Sequence, residues 1–121
     1  MAPENAHIFY VEDDESVIKV RTIYLKNAGH VVDEVARTLD EALTKIPMLN
    51  SDINVAVVDG NLEEQYTRNG EDGEIVAMEL KKQRPDITII GNASDVLLQS
   101  ADINCKKIEG AAKLAEVVTN A

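Results

Sequence analysis

The sequence predicts an α/β fold in which a parallel sheet is covered by helices on both faces. Five short apolar runs recur along 121 residues, and the polar segments between them carry apolar residues at helical spacing. The run INVAVV, Ile53–Val58, is short, β-branched and unbroken, as a strand buried on both faces should be. Two runs end in carboxylates, FYV in Glu12-Asp13-Asp14 and AVV in Asp59.

Taken in order, HIFYV (His7–Val11) is the first expected strand and VVDEV (Val31–Val35) a weaker second. Between them Ser16–Ala28 reads as a helix, with Val17, Val20, Ile23, Tyr24 and Leu25 near helical spacing and Gly29 able to close it in the left-handed conformation. Thr38–Met48 repeats the pattern with Leu39, Ala42, Leu43 and Ile46, capped by Thr38 or Asp40. After the third strand, Ile53–Val58, comes a long polar stretch, LEEQYTRNGED (Leu62–Asp72). Gly73–Gln83 is the next helix, with Ile75, Met78 and Leu80 expected inward and Pro85 stopping it. ITIIG (Ile87–Gly91) and the weak Ile103–Cys105 are strands four and five, and Gly110–Val118 is a short last helix. Met48 and Met78 are expected on core faces, and Cys105 as a buried small hydrophobe.

The totals bound the function. A chain of this length is most simply one domain spanning residues 1–121, and 45% hydrophobic content supports a packed core. A net charge of −10 disfavours nucleic acid as a direct partner and favours a basic protein surface or a metal cation. The single cysteine excludes an intramolecular disulfide. MAPENAHIF lacks the pattern of a signal peptide, and no apolar stretch reaches membrane-spanning length, so a cytoplasmic protein without membrane partners is expected. Asn92-Ala93-Ser94 matches a glycosylation sequon, which in this setting is read as coincidence. His7 and His30 have no metal-ligand company in the sequence and are read as structural or surface residues.

The acidic run FYVEDDES is informative because clustering like charges costs about 1 kcal/mol per contact even in water. In an open parallel sheet, ligands bind outside the C-terminal strand ends where strand order reverses. If strands one and three are neighbours, their terminal acids converge. A helix cap at Asp13 or Asp14 and a turn at Asp59 would explain one acid after one strand, but not three plus one. Converging carboxylates tolerate each other around a hard divalent cation, and Mg²⁺ favours a few such oxygens plus water.

VEDDE after the first strand, VVDGNL after the third, Gly73 opening the third helix and Lys107 after the fifth strand together resemble the receiver domain of two-component response regulators. The resemblance spans essentially the whole chain. It implies a flavodoxin-like (CheY-like) sheet of order 2-1-3-4-5, and a Mg²⁺-dependent phosphoacceptor aspartate served by a histidine kinase or phosphotransfer protein. By the same resemblance Asp59 is the phosphoacceptor, and Asp13 binds Mg²⁺ directly. Glu12 binds the metal directly or through water, and Asn61 offers its backbone carbonyl. Lys107 pairs with the acceptor carboxylate and later with the phosphoryl oxygens. Asp14 is read as a helix cap and Glu15 as a favourable charge at a helix N-terminus.

The sequence also departs from that family's pattern. The phosphate-binding hydroxyl position falls on Ala93, and the neighbouring Ser94 is either a shifted replacement or a turn residue. Ile108 stands where a proline usually follows the lysine, and Lys106 competes with Lys107 for the role. Asn104 occupies the position that often holds a switching aromatic. Only Ala93–Asp102 connects strands four and five, where a parallel crossover normally needs about a dozen residues or more, so the intervening helix should be short or absent. With Val96, Leu97 and Leu98 adjacent, at least one should lie exposed. The resulting expectation is a stand-alone receiver domain that is not an enzyme and signals by contact with a downstream protein. The first alternative is a pseudo-receiver that binds proteins without phosphorylation. A haloacid-dehalogenase-like phosphatase ranks below both, because its second aspartate would fall on Asn61.

Overall fold

A computed structural model of the chain describes residues 5–60, 62, 71–93 and 97–121. Five parallel strands, β1 (His7–Val11), β2 (Val31–Ala36), β3 (Val55–Val58), β4 (Thr88–Gly91) and β5 (Ile103–Asn104), form one sheet in the order β2-β1-β3-β4-β5. The helices are α1 (Glu15–Asn27), α2 (Leu39–Lys45), α3 (Glu71–Gln83) and α4 (Ala111–Thr119), with 3-10 turns at Ile46–Met48 and Lys107–Glu109. Strand order reverses between β1 and β3, so both acid-terminated strands end side by side in register, with Val11 opposite Val58.

Side-chain alternation along the strands divides the core in two. Phe9, Val11, Ala56, Val58 and Ile89 face α2 and α3, packing on Ala42, Val76, Ala77 and Leu80. Ile8, Tyr10, Val55, Val57 and Ile90 face α1 and α4, packing on Leu25, Leu114, Ala115 and Val118. Cys105 is buried in this second core, as the sequence suggests. Every residue of β3 is buried, which accounts for its unbroken apolar run.

Several helix faces differ from the expectation. On α3 the sheet takes Val76, Ala77 and Leu80, while Ile75 and Met78 are exposed. Met48 is also exposed rather than in the core. On α1 the inward residues are Arg21 and Leu25, whereas Val20, Ile23 and Tyr24 face solvent. In each helix the apolar residues cover more than one stripe. Only the stripe at i, i+4 from the anchoring residue meets the sheet, and spacing alone does not choose it.

The short crossover closes without a helix among its described residues. Side chains take the helix's place. Asn104 accepts from the Leu98 N–H at 3.0 Å and donates to the Leu98 carbonyl at 3.2 Å. Glu74 accepts from the amides of Gln99 at 2.8 Å and Ser100 at 3.1 Å. Asp102 accepts from the Ile89 amide at 2.8 Å and pairs with Lys81. A Cβ on Gly91 would sit 2.3 Å from Asn104 Oδ1, so a larger residue there would displace the Asn104 side chain from its bonds to Leu98. Leu98 is 2% exposed and its neighbour Leu97 58%, which is the division that adjacency imposes.

Candidate functional site

The site forms at the C-terminal ends of β1 and β3. The ladder continues one residue past each strand, with the Asp59 N–H donating to the Val11 carbonyl at 2.9 Å and the Glu12 N–H to the Ala36 carbonyl at 3.0 Å. Those bonds hold Glu12 and Asp59 on neighbouring tracks, both buried. Asp13 follows at the surface edge and is half-buried. One oxygen from each of Glu12, Asp13 and Asp59 lies within 4.8 Å of the others. Asp14 stands apart as the N-cap of α1, accepting from the amides of Ser16 at 2.9 Å and Val17 at 3.3 Å.

Lys107 reaches the same spot from the turn after β5. Its Nζ lies 3.1 Å from Asp59 Oδ2 and 2.9 Å from Glu12 Oε1, and it donates to Glu12 Oε2 at 3.1 Å. Lys106, the extended residue that precedes the turn, is exposed. The other acceptor oxygen, Asp59 Oδ1, takes the Gly60 amide at 2.7 Å. Behind Asp59, α3 approaches so closely that a Cβ on Gly73 would sit 2.2 Å from the Asp59 carbonyl oxygen. Ala93 is buried, and its carbonyl accepts from the Lys107 N–H at 3.0 Å. All peptide bonds described are trans, including the one joining Lys107 to Ile108. Asn61 and Ser94 lie outside the described residues.

The electrostatics follow from the geometry. Burial, reinforced by the charge of Asp59 and opposed by Lys107, pushes the Glu12 carboxyl up to about 8. Asp59 is raised as well, first by burial, with Lys107 opposing and Asp13 adding to the rise. Burial works against the Lys107 ammonium, but the carboxylates of Asp59 and Glu12 outweigh it and raise its pKa. With all three acids ionised, three negative charges face one ammonium. Glu12 Oε1 is buried with the Lys107 ammonium 2.9 Å away. An all-oxygen donor set of three carboxylates with excess negative charge fits a hard divalent cation.

Sequence reasoning missed a buried polar layer beneath these acids. Tyr10 Oη, Arg21 Nη1 and Asn92 Oδ1 are buried without hydrogen-bond partners among the described residues. Asn92 donates its other amide atom to the Cys105 carbonyl at 2.7 Å, and Arg21 Nη2 donates to the Lys107 carbonyl at 3.2 Å. The available signal was Arg21 itself, a charge four residues after Val17 and four before Leu25 on the inward stripe. The histidines prove structural. His30 accepts from the Ala6 amide at 2.9 Å and bonds Thr119 at 2.9 Å, while His7 lies 3.0 Å from Asp33.

No family model and no curated relative matches the chain. Solved structures do match, and many of them are response-regulator receiver domains. One from Methanospirillum hungatei JF-1, described as CheY-like, is 24% identical with a TM-score of 0.76, covering 95% of this chain and 91% of that one. A second, from Clostridium thermocellum, is 20% identical with a TM-score of 0.77, covering 95% and 92%. A third, a response regulator protein from Burkholderia pseudomallei with a phosphorylated aspartic acid, calcium ion and citrate, is 18% identical with a TM-score of 0.73, covering 96% of this chain and 66% of that one. The fold is therefore the flavodoxin-like fold of receiver domains. Among the described residues no helix is long and apolar enough to cross a membrane.

Proposed function

We propose that the chain is a receiver domain in cytoplasmic two-component signalling. In this reading Asp59 accepts a phosphoryl group from a histidine kinase or phosphotransfer protein, with Mg²⁺ as cofactor, and the modified domain signals by contact with a downstream protein. The observation that carries the reading is Asp59 itself, a buried strand-terminal carboxylate clustered with two more acids and one ammonium.

Each residue then has a defined task. Asp59 Oδ2 attacks phosphorus; the new O–P bond forms as the donor's bond to phosphorus breaks, and the electron pair leaves with the donor group. Gly60 N–H holds Oδ1 and so orients the carboxylate. Lys107, kept protonated, balances the charge of Asp59 and then of the incoming oxygens. Glu12 and Asp13 would hold the cation together with Asp59, and Asn61 would add its carbonyl. Bound there, Mg²⁺ would supply charge neutralisation for the transferring phosphoryl oxygens. A carboxylate is a weak nucleophile, so positioning and neutralisation must supply the rate.

The second reading, a pseudo-receiver, has one specific support: Ala93 is buried at the usual hydroxyl position, leaving Ser94 as the nearest hydroxyl in sequence. Amide NMR separates the two. A receiver shows shifts around Asp13 and Asp59 with Mg²⁺ and a further set, reaching Lys107, with beryllofluoride as phosphoryl mimic. A spectrum unmoved by both supports the phosphorylation-independent module.

A further inference from the structure

Beneath the acidic cluster, Arg21 is 8% exposed on the face of α1 that packs against the sheet. An apolar residue would fill that place at less cost, because a buried guanidinium must be desolvated and Nη1 has no hydrogen-bond partner among the described residues. Its head donates from Nη2 to the Lys107 carbonyl, 3.2 Å away and 86 residues distant in sequence. That same carbonyl accepts from Gly110 N–H at 3.0 Å, closing the turn Lys107–Glu109.

The backbone of this turn is held on one side by the Lys107 N–H donating to the Ala93 carbonyl at 3.0 Å, and Arg21 adds a second tie from α1. β5 has only two residues, so Lys107 lies beyond the end of a short edge strand. Ile108, next in the turn, is 88% exposed and contributes almost no buried area to fix it. Yet Lys107 Nζ must stay within about 3 Å of two carboxylates on two other strands. We infer that Arg21 is a positioning residue: it ties the Lys107 backbone to α1 and so holds the ammonium against Glu12 and Asp59. The inference rests on the reading of Asp59 as phosphoacceptor for its catalytic consequence, but its structural half can be measured separately.

The test is Arg21→Met, which keeps length and removes the donor, with Arg21→Lys as a second variant that keeps the charge but not the fork. The first readout is the rate of acetylation of Lys107 by acetic anhydride in the full chain, followed by peptide mass spectrometry, with exposed Lys106 as internal reference. A hydrogen bond from a charged donor corresponds to about a tenfold shift in equilibrium. Lys107 should therefore react about tenfold faster relative to Lys106 in Arg21→Met, and by a smaller factor in Arg21→Lys. Loss of a nearby cation alone would raise the Lys107 pKa and slow the reaction, so acceleration reports the lost tie and not the lost charge. The second readout is Mg²⁺-dependent labelling by acetyl phosphate, which should slow several-fold on Arg21→Met in the wild type and not at all on Arg21→Met in the Lys107→Ala background. Unchanged acetylation of Lys107 in a folded variant overturns the inference, and should Arg21→Met not fold, Arg21→Lys decides by the same measure. Faster acetylation with unchanged labelling overturns the role in the reaction. Faster acetylation in a protein whose wild type is never labelled upholds the tie and refutes the phosphoacceptor reading instead.

Discussion

Asp13→Asn should stabilise the metal-free protein. Asp13 brings a carboxylate oxygen within 4.8 Å of those of Glu12 and Asp59, while Lys107 lies against the other two acids. Its charge in the site is therefore mainly repulsive when no cation is present. Coulomb's law at that separation gives about 1 kcal/mol for one pair at the dielectric of water and about 3.5 kcal/mol at an effective value of 20. Asp13 is half-buried, which places the repulsion between those limits. Asparagine keeps the shape, and the backbone carbonyl of residue 13 still accepts from Arg37 at 3.2 Å. The variant should gain about 1–3 kcal/mol in EDTA at low ionic strength, or roughly 3–4 °C in Tm for each kcal/mol. Added salt should narrow the difference by screening. Millimolar Mg²⁺ should stabilise the wild type and do much less for the variant. Urea and thermal unfolding with and without Mg²⁺ provide the assay. A variant less stable than wild type in EDTA would refute the reasoning, since Asp13 would then be held by structure and not tolerated for a ligand.

Three further outcomes follow from the same structure. Folded Glu12 titrates at about 8 against an ordinary 4.5, so between those values the folded state holds more protons than the unfolded one. Metal-free stability should therefore fall as pH rises through that window, and Asp59 adds in the same direction. Urea midpoints from pH 5 to 8 in EDTA should drop less steeply for Glu12→Gln than for wild type; equal slopes would contradict this. Gly73→Ala places a Cβ 2.2 Å from the Asp59 carbonyl oxygen and 2.8 Å from Gly60 Cα, so α3 must move away from the acceptor loop. The expected loss is about 1–3 kcal/mol or more, with a shifted Asp59 amide resonance; a change below about 0.5 kcal/mol would show the contact to be soft. Leu98→Ala should cost about 2–5 kcal/mol by cavity formation, whereas Leu97→Ala should stay within about 0.5 kcal/mol, both read by urea unfolding.

The layout of the fold was legible because burial on both faces writes itself into composition. Val55–Val58 admits no polar residue, and its flanking strands end in register with it. The convergence of Glu12, Asp13 and Asp59 followed from strand ends alone once β1 and β3 were neighbours. Helix faces were less legible. Val76, Ala77 and Leu80, not Ile75 and Met78, meet the sheet, because α3 carries apolar residues on more than one stripe and spacing alone does not choose between them. The closure of the crossover by Asn104, Glu74 and Asp102 was hidden because polar side chains replace a helix that hydrophobic spacing would have revealed. Arg21 escaped notice because a charge on an apolar stripe reads as solvent-facing until its partner, 86 residues away, is known.

The central claim is that Asp59 is a metal-dependent phosphoacceptor, and intact-mass measurement after incubation with acetyl phosphate tests it most directly. The wild type with Mg²⁺ should gain one phosphoryl group, lose it on alkaline hydrolysis as an acyl phosphate does, and gain none in EDTA. Asp59→Asn, which keeps the size of the side chain but removes the nucleophile, should gain none under any condition. Labelling that persists in Asp59→Asn, or a wild type that remains unmodified at saturating Mg²⁺ and donor, would contradict the account.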